Sequence, residues 1–403
     1  MMNEPNEICE TISPANEAQN TSQDSVVPDD IPTPKPHKKR RLSRVVLGFY
    51  AFFAVSLAFF IVCLCSPAFA DGFNRTASAA IRTVLAHLTG WLPFSLAEYL
   101  LLLAPIVLFL LIRYGVKHFS SSWRDVGRYC LSLLSVLALV GGLFLSAFAP
   151  GYHGSTLDQK LGLEKREVST KELYDTARVL VSQMERELDE ISFSPSGFSI
   201  MPYTLDEMND RLLLAFDTVS AAHDFLPVLK SRVKPVMMSE AMSYTHITGV
   251  YTFFTGEANL NVAFPDYTIP YTAAHELAHQ RGVAREDEAN FVAFLVCIAA
   301  EDAYIRYCGY RNLYDHVISA LYEADPSQYA KLNGYVPRAI RREQSAYSAF
   351  FDPYRDSAAS QVTETVNDTF LTIQGTEGTK SYGMVVDLAV AYYRLPDEAT
   401  SKK

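Results

Sequence analysis

His275, Glu276 and His279 stand as H-E-x-x-H within Pro270-Tyr271-Thr272-Ala273-Ala274-His275-Glu276-Leu277-Ala278-His279-Gln280-Arg281-Gly282. Two residues four apart project from the same face of a helix, so the two imidazoles can grip one metal ion. Glu276 lies beside them, placed to take a proton from a water that the ion activates. Pro270 fits a helix's first turn and Gly282 its stop, so the segment is expected to be helical over its full length. The small or apolar flanks Ala273, Ala274, Leu277 and Ala278 suit a helix buried in a cleft. The chemistry this implies is hydrolysis assisted by Zn²⁺. A non-catalytic zinc-binding membrane sensor or scaffold is the alternative. Against it, a structural clamp needs no base, and structural zinc more often uses thiolates, none of which lies near the motif.

A catalytic zinc usually takes three protein ligands and one water. Position 285, where a third histidine of the longer H-E-x-x-H-x-x-G-x-x-H pattern would fall, is Arg285, and the next histidine is His316. Glu286, Asp287 and Glu288 open the following helix, where acids also complement the helix dipole. Among them Glu288 shares a face with Val292 and Leu295 by i, i+4, i+7 spacing. That apolar face should pack inward, against the metal helix. A carboxylate there is costly unless it is paired or coordinates a metal. Glu286, two positions earlier, should point the opposite way, toward water. The expected metal set is His275, His279 and Glu288.

The elements that position this site fall into three parts of a 403-residue chain. Residues 1–44 carry seven acids and six bases with few large apolar residues, and cannot bury enough surface to fold alone. Residues 45–150 carry three acids and six bases among long apolar runs, and residues 151–403 carry 35 acids against 23 bases. The acidic part would repel phosphate, which argues against nucleic acid as a partner. Val45–Cys65, Phe94–Ile112 and Tyr129–Ala149 each approach the length of about 20 apolar residues that a spanning helix needs. Basic residues cluster before the first run and between the second and third. The positive-inside rule therefore predicts a multi-pass protein of the cell membrane, with a cytoplasmic N-terminal tail and residues 151–403 outside. Ala68-Phe69-Ala70 looks like a signal-peptidase site, but a 21-residue apolar run behind a 44-residue leader reads as an uncleaved anchor.

The outer part reads as mainly helical. Amphipathic patterns cover Lys171–Ile191, Leu205–Phe225, Glu286–Tyr307, Leu313–Tyr322, Arg338–Phe350, Ser360–Ile373 and Tyr382–Tyr393. Gly249–Phe254 and Asn259–Ala263 read as two short strands around a turn at Gly256. Cys297 and Cys308, if on one helix, lie eleven residues and roughly 16 Å apart, too far to bridge. The expected fold is mainly α: three N-terminal transmembrane helices, then an α-rich extracytoplasmic domain with a small β element.

His275-Glu276-Leu277-Ala278-His279-Gln280-Arg281-Gly282, followed by Glu286-Asp287-Glu288-Ala289-Asn290-Phe291, resembles a bacterial family of uncharacterised multi-span membrane proteins. That family is classed by similarity with the zincin metallopeptidases that use a glutamate as third ligand. Phe254–Asn259, Val366–Leu371 and Ser381-Tyr382-Gly383 also resemble it, and the resemblance covers most of residues 90–395. It implies a zincin-like domain and a zinc-dependent peptidase acting on peptide or protein substrates. It implies that a peptide lies extended along the Tyr251–Asn261 region, with Asn259 and Asn261 meeting its backbone. Tyr382 is then a candidate donor to the oxyanion, and Glu257 a candidate partner that orients a histidine. His153 and His246 read as plain polar residues.

Overall fold

Long apolar runs with few charges make long helices, and the computed structural model begins with them; it describes residues 42–119, 122–376 and 384–394. Helix α1 is Arg44–Cys65. Ser66 caps a short α2 (Pro67–Phe73), which runs through a π-helical turn, Asn74–Ser78, into α3 (Ala79–Gly90). Then come α4 (Leu96–Phe119) and α5 (Trp123–Ala147). Among the described residues, α1, α4 and α5 are long and apolar enough to cross a membrane. Gly141 and Gly142 on α5 leave room for Phe53 and Phe52 of α1, the close approach that small residues allow between spanning helices. Ala70 of the Ala-Phe-Ala segment is buried inside α2. The N-terminal tail to residue 41 lies outside the described residues.

The rest of the chain follows as α6 (Leu157–Leu161), α7 (Thr170–Glu187), α8 (Leu205–Ala222), β1 (Lys234–Pro235), α9 (Ser239–Ser243), β2 (Gly249–Thr252) and β3 (Glu257–Leu260). Then come α10 (Ile269–Gln280), α11 (Glu286–Ala299), α12 (Ala303–Ala324), α13 (Pro326–Asn333), α14 (Arg338–Phe351), α15 (Ala358–Ile373) and α16 (Val385–Tyr393). Helices α7 and α8 open on capping boxes, Ser169 with Glu172 and Thr204 with Glu207, each satisfying two orphan amides. The main core gathers apolar faces of α7, α8, α10, α11, α12 and α16. The expected helix Glu286–Tyr307 is in fact two. Asp302 breaks it by accepting from the Ile305 amide as an N-cap, so Cys297 and Cys308 sit on different helices, both as free thiols. The sheet has three strands in the order β1-β3-β2, with β1 parallel and β2 antiparallel to β3. Two-residue β1 carries no alternating pattern and is invisible in the sequence.

The spanning helices and the remainder form one compact unit from Leu42 onward, and buried charge makes the joints. Arg82 of α3 is 1% exposed. Its Nη1 donates to the Asn74 side chain at 2.8 Å and to the Ala147 carbonyl at 2.6 Å; Nη2 donates to the Asn74 carbonyl at 2.9 Å and the Arg281 carbonyl at 3.3 Å. Asn74 Nδ2 donates onward to the Gly282 carbonyl at 2.9 Å. Ala147 ends α5 and Arg281 caps α10, so the cation sits where two helix C-termini converge. Burial lowers its pKa to about 10, which still leaves it charged at neutral pH. The second joint mirrors the first. Glu257 of β3 accepts from the Leu96 and Ala97 amides at the start of α4 and pairs with Lys234 at 2.7 Å.

Arg82→Leu should therefore leave several buried carbonyls without a donor and cost about 2–4 kcal/mol. Arg75→Leu removes only an exposed pair with Asp224 and should cost less than about 1 kcal/mol. Unfolding of the detergent-solubilised variants measures both, and equal losses would contradict the role given to Arg82.

Candidate metal centre

The motif helix α10 starts at Ile269 with Pro270 in its first turn and stops at Gly282, whose φ of +95° suits glycine. A Cβ there would also run into Arg82 and Asn74. His275 and His279 share one face with ring centroids 4.5 Å apart. His279 Nδ1 lies 2.7 Å from the Val283 carbonyl. A carbonyl can only accept, so Nδ1 carries the proton and a neutral ring presents the lone pair of Nε2. Phe148, at the end of α5, packs edge-on against this ring at 5.8 Å.

The carboxylate beside the two histidines is Glu286, not Glu288. Glu286 Oε2 lies 3.1 Å from His275 Nε2 and 3.3 Å from His279 Nε2. Ligand atoms about 2.0–2.1 Å from a tetrahedral zinc stand about 3.3 Å from one another, so the Glu286 oxygen already stands at ligand spacing from each imidazole nitrogen. They form a cluster within 4.8 Å, the one candidate metal group among the described residues. Glu288 turns away: its Oε1 accepts from the Leu157 amide at the start of α6 and from Arg285 at 2.9 and 3.0 Å. The expectation failed because α11 is buried on every side from Asp287 to Cys297. An inward face therefore does not distinguish one acid from another. Arg285, the extended N-cap residue, makes Glu286 the first helical residue, beside α10.

The charges suit a cation. Burial raises the Glu286 carboxyl, but the two imidazoles outweigh it and hold the group well below the ordinary carboxylate range. Burial presses His279 down, and Glu286 then carries it up to about 9. A metal ion at this spot would take the place of that proton. Two imidazoles and a carboxylate are a donor set that fits zinc.

Glu276 points from α10 toward β2. It is 4% exposed, and burial raises its pKa against the pull of both histidines. A Cβ on Gly249 would lie 2.6 Å from Glu276 Oε1, so glycine is required there by close approach. Glu276 Oε2, His275 Nδ1 and the Tyr251 hydroxyl are buried without a hydrogen-bond partner. Such orphans are rare and call for an explanation.

Other expected residues fall elsewhere. Asn259 lies on central β3 and donates to the Val250 carbonyl and Thr252 Oγ1 across the strand pair. Asn261 donates to Ser243 and the Ile247 carbonyl and accepts from the Ala263 amide. Both are buried and hold local backbone, and the sheet edge beside the site is β2. Glu257 serves the start of α4 and touches neither histidine. His153 packs edge-on against Phe60, and His246 meets the Tyr354 carbonyl. Tyr382 lies outside the described residues. Two neighbours carried no sequence signal. His316 on α12 is pressed below the ordinary histidine range by burial; Asp315 opposes this and His275 adds to it. Tyr152 is raised by burial and by Glu286.

The chain belongs to a family described as protein of unknown function (DUF3810), matched over residues 73–390. The match begins one residue before Asn74 and takes in every residue of the centre. No curated protein and no solved structure matches the chain.

A cation held here needs Glu286. The wild type should retain zinc through purification and Glu286→Ala should lose it, measured by elemental mass spectrometry. Glu288→Ala should keep it while losing about 1–3 kcal/mol of stability through the unpaired Leu157 amide. Zinc kept in the first variant and lost in the second would make Glu288 the ligand.

Proposed function

We propose that the protein is a membrane-anchored zinc-dependent metallopeptidase of zincin-like design, hydrolysing peptide bonds at the outer face of the cell membrane. The observation that carries this reading is the convergence of His275, His279 and Glu286, with Glu286 Oε2 at ligand spacing from both imidazole nitrogens and buried Glu276 next to His275 on the same helix. Zinc, when bound, supplies Lewis acidity that lowers the pKa of a water and polarises a carbonyl. Glu276 would take a proton from the attacking water and return it to the leaving amine, a task helped by burial that raises its pKa. Strand β2, at the sheet edge, offers backbone groups to an extended peptide, and Gly249 keeps the Glu276 carboxylate next to that edge. The bound peptide and the spanning helices make substrate protein and lipid bilayer the partners. A sensor or scaffold with the same ligands gives Glu276 no task.

Glu276→Gln should keep zinc at wild-type stoichiometry while peptide hydrolysis falls by roughly 10²–10⁴. Comparing proteome cleavage products of the two forms also identifies the substrate class. A variant that stayed fully active, or lost its metal, would falsify the assignment of Glu276 as base.

The outward orientation follows from Lys and Arg flanking the spans. A reporter fused after Lys403 should be active only in its extracytoplasmic format. Activity of a cytoplasmic reporter at that point would reverse the topology.

A further inference from the structure

Outside the three long apolar helices, α15 is the least buried of the longer helices described. Of its sixteen residues only Ser360 and Leu371 are buried. Seven are β-branched (Val362, Thr363, Thr365, Val366, Thr369, Thr372, Ile373), a composition with weak intrinsic helicity. Isolated helices of about this length are marginal in water, and most draw stability from burying an apolar face. Here the apolar face is bare: Val362 is 65% exposed, Val366 63%, Phe370 37% and Ile373 74%. At about 100° per residue these four make one stripe, and Glu364 and Asp368 fall on the opposite side.

Both ends of α15 are tied to elements that touch the spanning helices. At its start, the N-cap Ser357 hydroxyl donates to the Tyr244 carbonyl. Tyr244 follows α9, and the amides of Met237 and Met238 just before α9 donate to Glu98 in the first turn of α4. At its other end Phe370 packs on Phe144, in the last turn of α5, at 5.9 Å. The helix thus bridges the start of one span and the end of another. These two ends belong to the same membrane face, so α15 runs along that face.

We propose that α15 lies in the lipid surface, with the Val362–Ile373 stripe in the acyl boundary and Glu364 and Asp368 turned away from it. The occupant is lipid because the exposed stripe includes Phe370, which packs on Phe144 in the last turn of apolar α5. A polar face with acids and no Lys or Arg means that apolar burial, rather than attraction to anionic headgroups, holds the helix down. Phe370 also packs on Tyr152 at 6.4 Å, and Tyr152 stands beside Glu286. Lipid would therefore form one rim of the approach to the metal centre. The proposal rests on α4 and α5 crossing the membrane and is independent of zinc.

The test uses the full chain in phosphatidylcholine nanodiscs, with Trp91 and Trp123 replaced by Phe. A single tryptophan is introduced as Val366→Trp, Val362→Trp or Glu364→Trp. Phospholipids brominated near the headgroup end of the chain should quench the two stripe positions at least twofold more than the Glu364 position. Acrylamide should show the reverse order. Equal lipid quenching at all three positions would overturn the proposal. Stripe positions shielded from both quenchers would overturn it too, because protein, such as a second copy of the chain, would then cover the stripe.

Discussion

One buried guanidinium joins the long apolar helices to the H-E-x-x-H helix. Among the described residues Arg82 pairs with no carboxylate; its charge is held by carbonyls at the ends of α5 and α10 and by Asn74. Taking an unpaired cation out of water is very costly in a medium without dipoles, so the position is tenable only because two helix C-termini point at it. The dependence also runs the other way. The π-turn that presents Asn74, the glycine at 282 and the termination of α5 at Ala147 are all shaped around this cation. The loop between the first two spans is thereby part of the scaffold of the centre.

The same device recurs with opposite sign. Glu257 sits at the start of α4, Glu288 at the start of α6, and Glu98 accepts amides just before α9. Each carboxylate comes from one part of the fold and satisfies orphan amides of another. Phe148 and Tyr152 complete the contact from the apolar side, packing against each other at 5.7 Å, with Phe148 also against Tyr251. The metal helix is consequently fixed at its C-terminal end by α3 and α5 and along its flank by the sheet. That rigidity is what a site needs if three ligand atoms are to stand at the right spacing before any ion arrives.

The sequence made legible whatever depends on local periodicity. The first apolar helix, the two histidines four apart and most amphipathic helices lie within a few residues of where the pattern puts them, whereas α4 runs seven residues past Ile112 and α5 starts six before Tyr129 because their polar ends continue the helix. It failed where a choice depends on what packs from a distance. Glu286 and Glu288 differ only by which neighbour each meets, and α11 is apolar all round, so no periodicity separates them. The break at Asp302 is an N-cap within a continuous apolar pattern. Asn259 and Asn261 read as residues meeting a substrate backbone because nothing local reveals that β1 covers the far side of β3. Arg82 carried no signal in the sequence, since two of its acceptors lie 65 and 199 positions away.

The unpaired atoms at the centre bear on which function such a fold would serve. Glu276 is held in low dielectric with Oε2 unpartnered, against a glycine that leaves it room. An unsatisfied buried polar group costs about 1–3 kcal/mol, and more when charged. A structural clamp built from His275, His279 and Glu286 would gain by replacing Glu276 with an apolar residue of similar size. A hydrolytic site gains by keeping it, because burial that destabilises the anion also moves the group toward the pKa of a useful base. The orphaned His275 Nδ1 fits the same account, being free to donate once water or substrate enters. Stability given up at Glu276 is what the proposed proton transfer would require, and it is the physical ground on which the proposal prefers a peptidase to a scaffold.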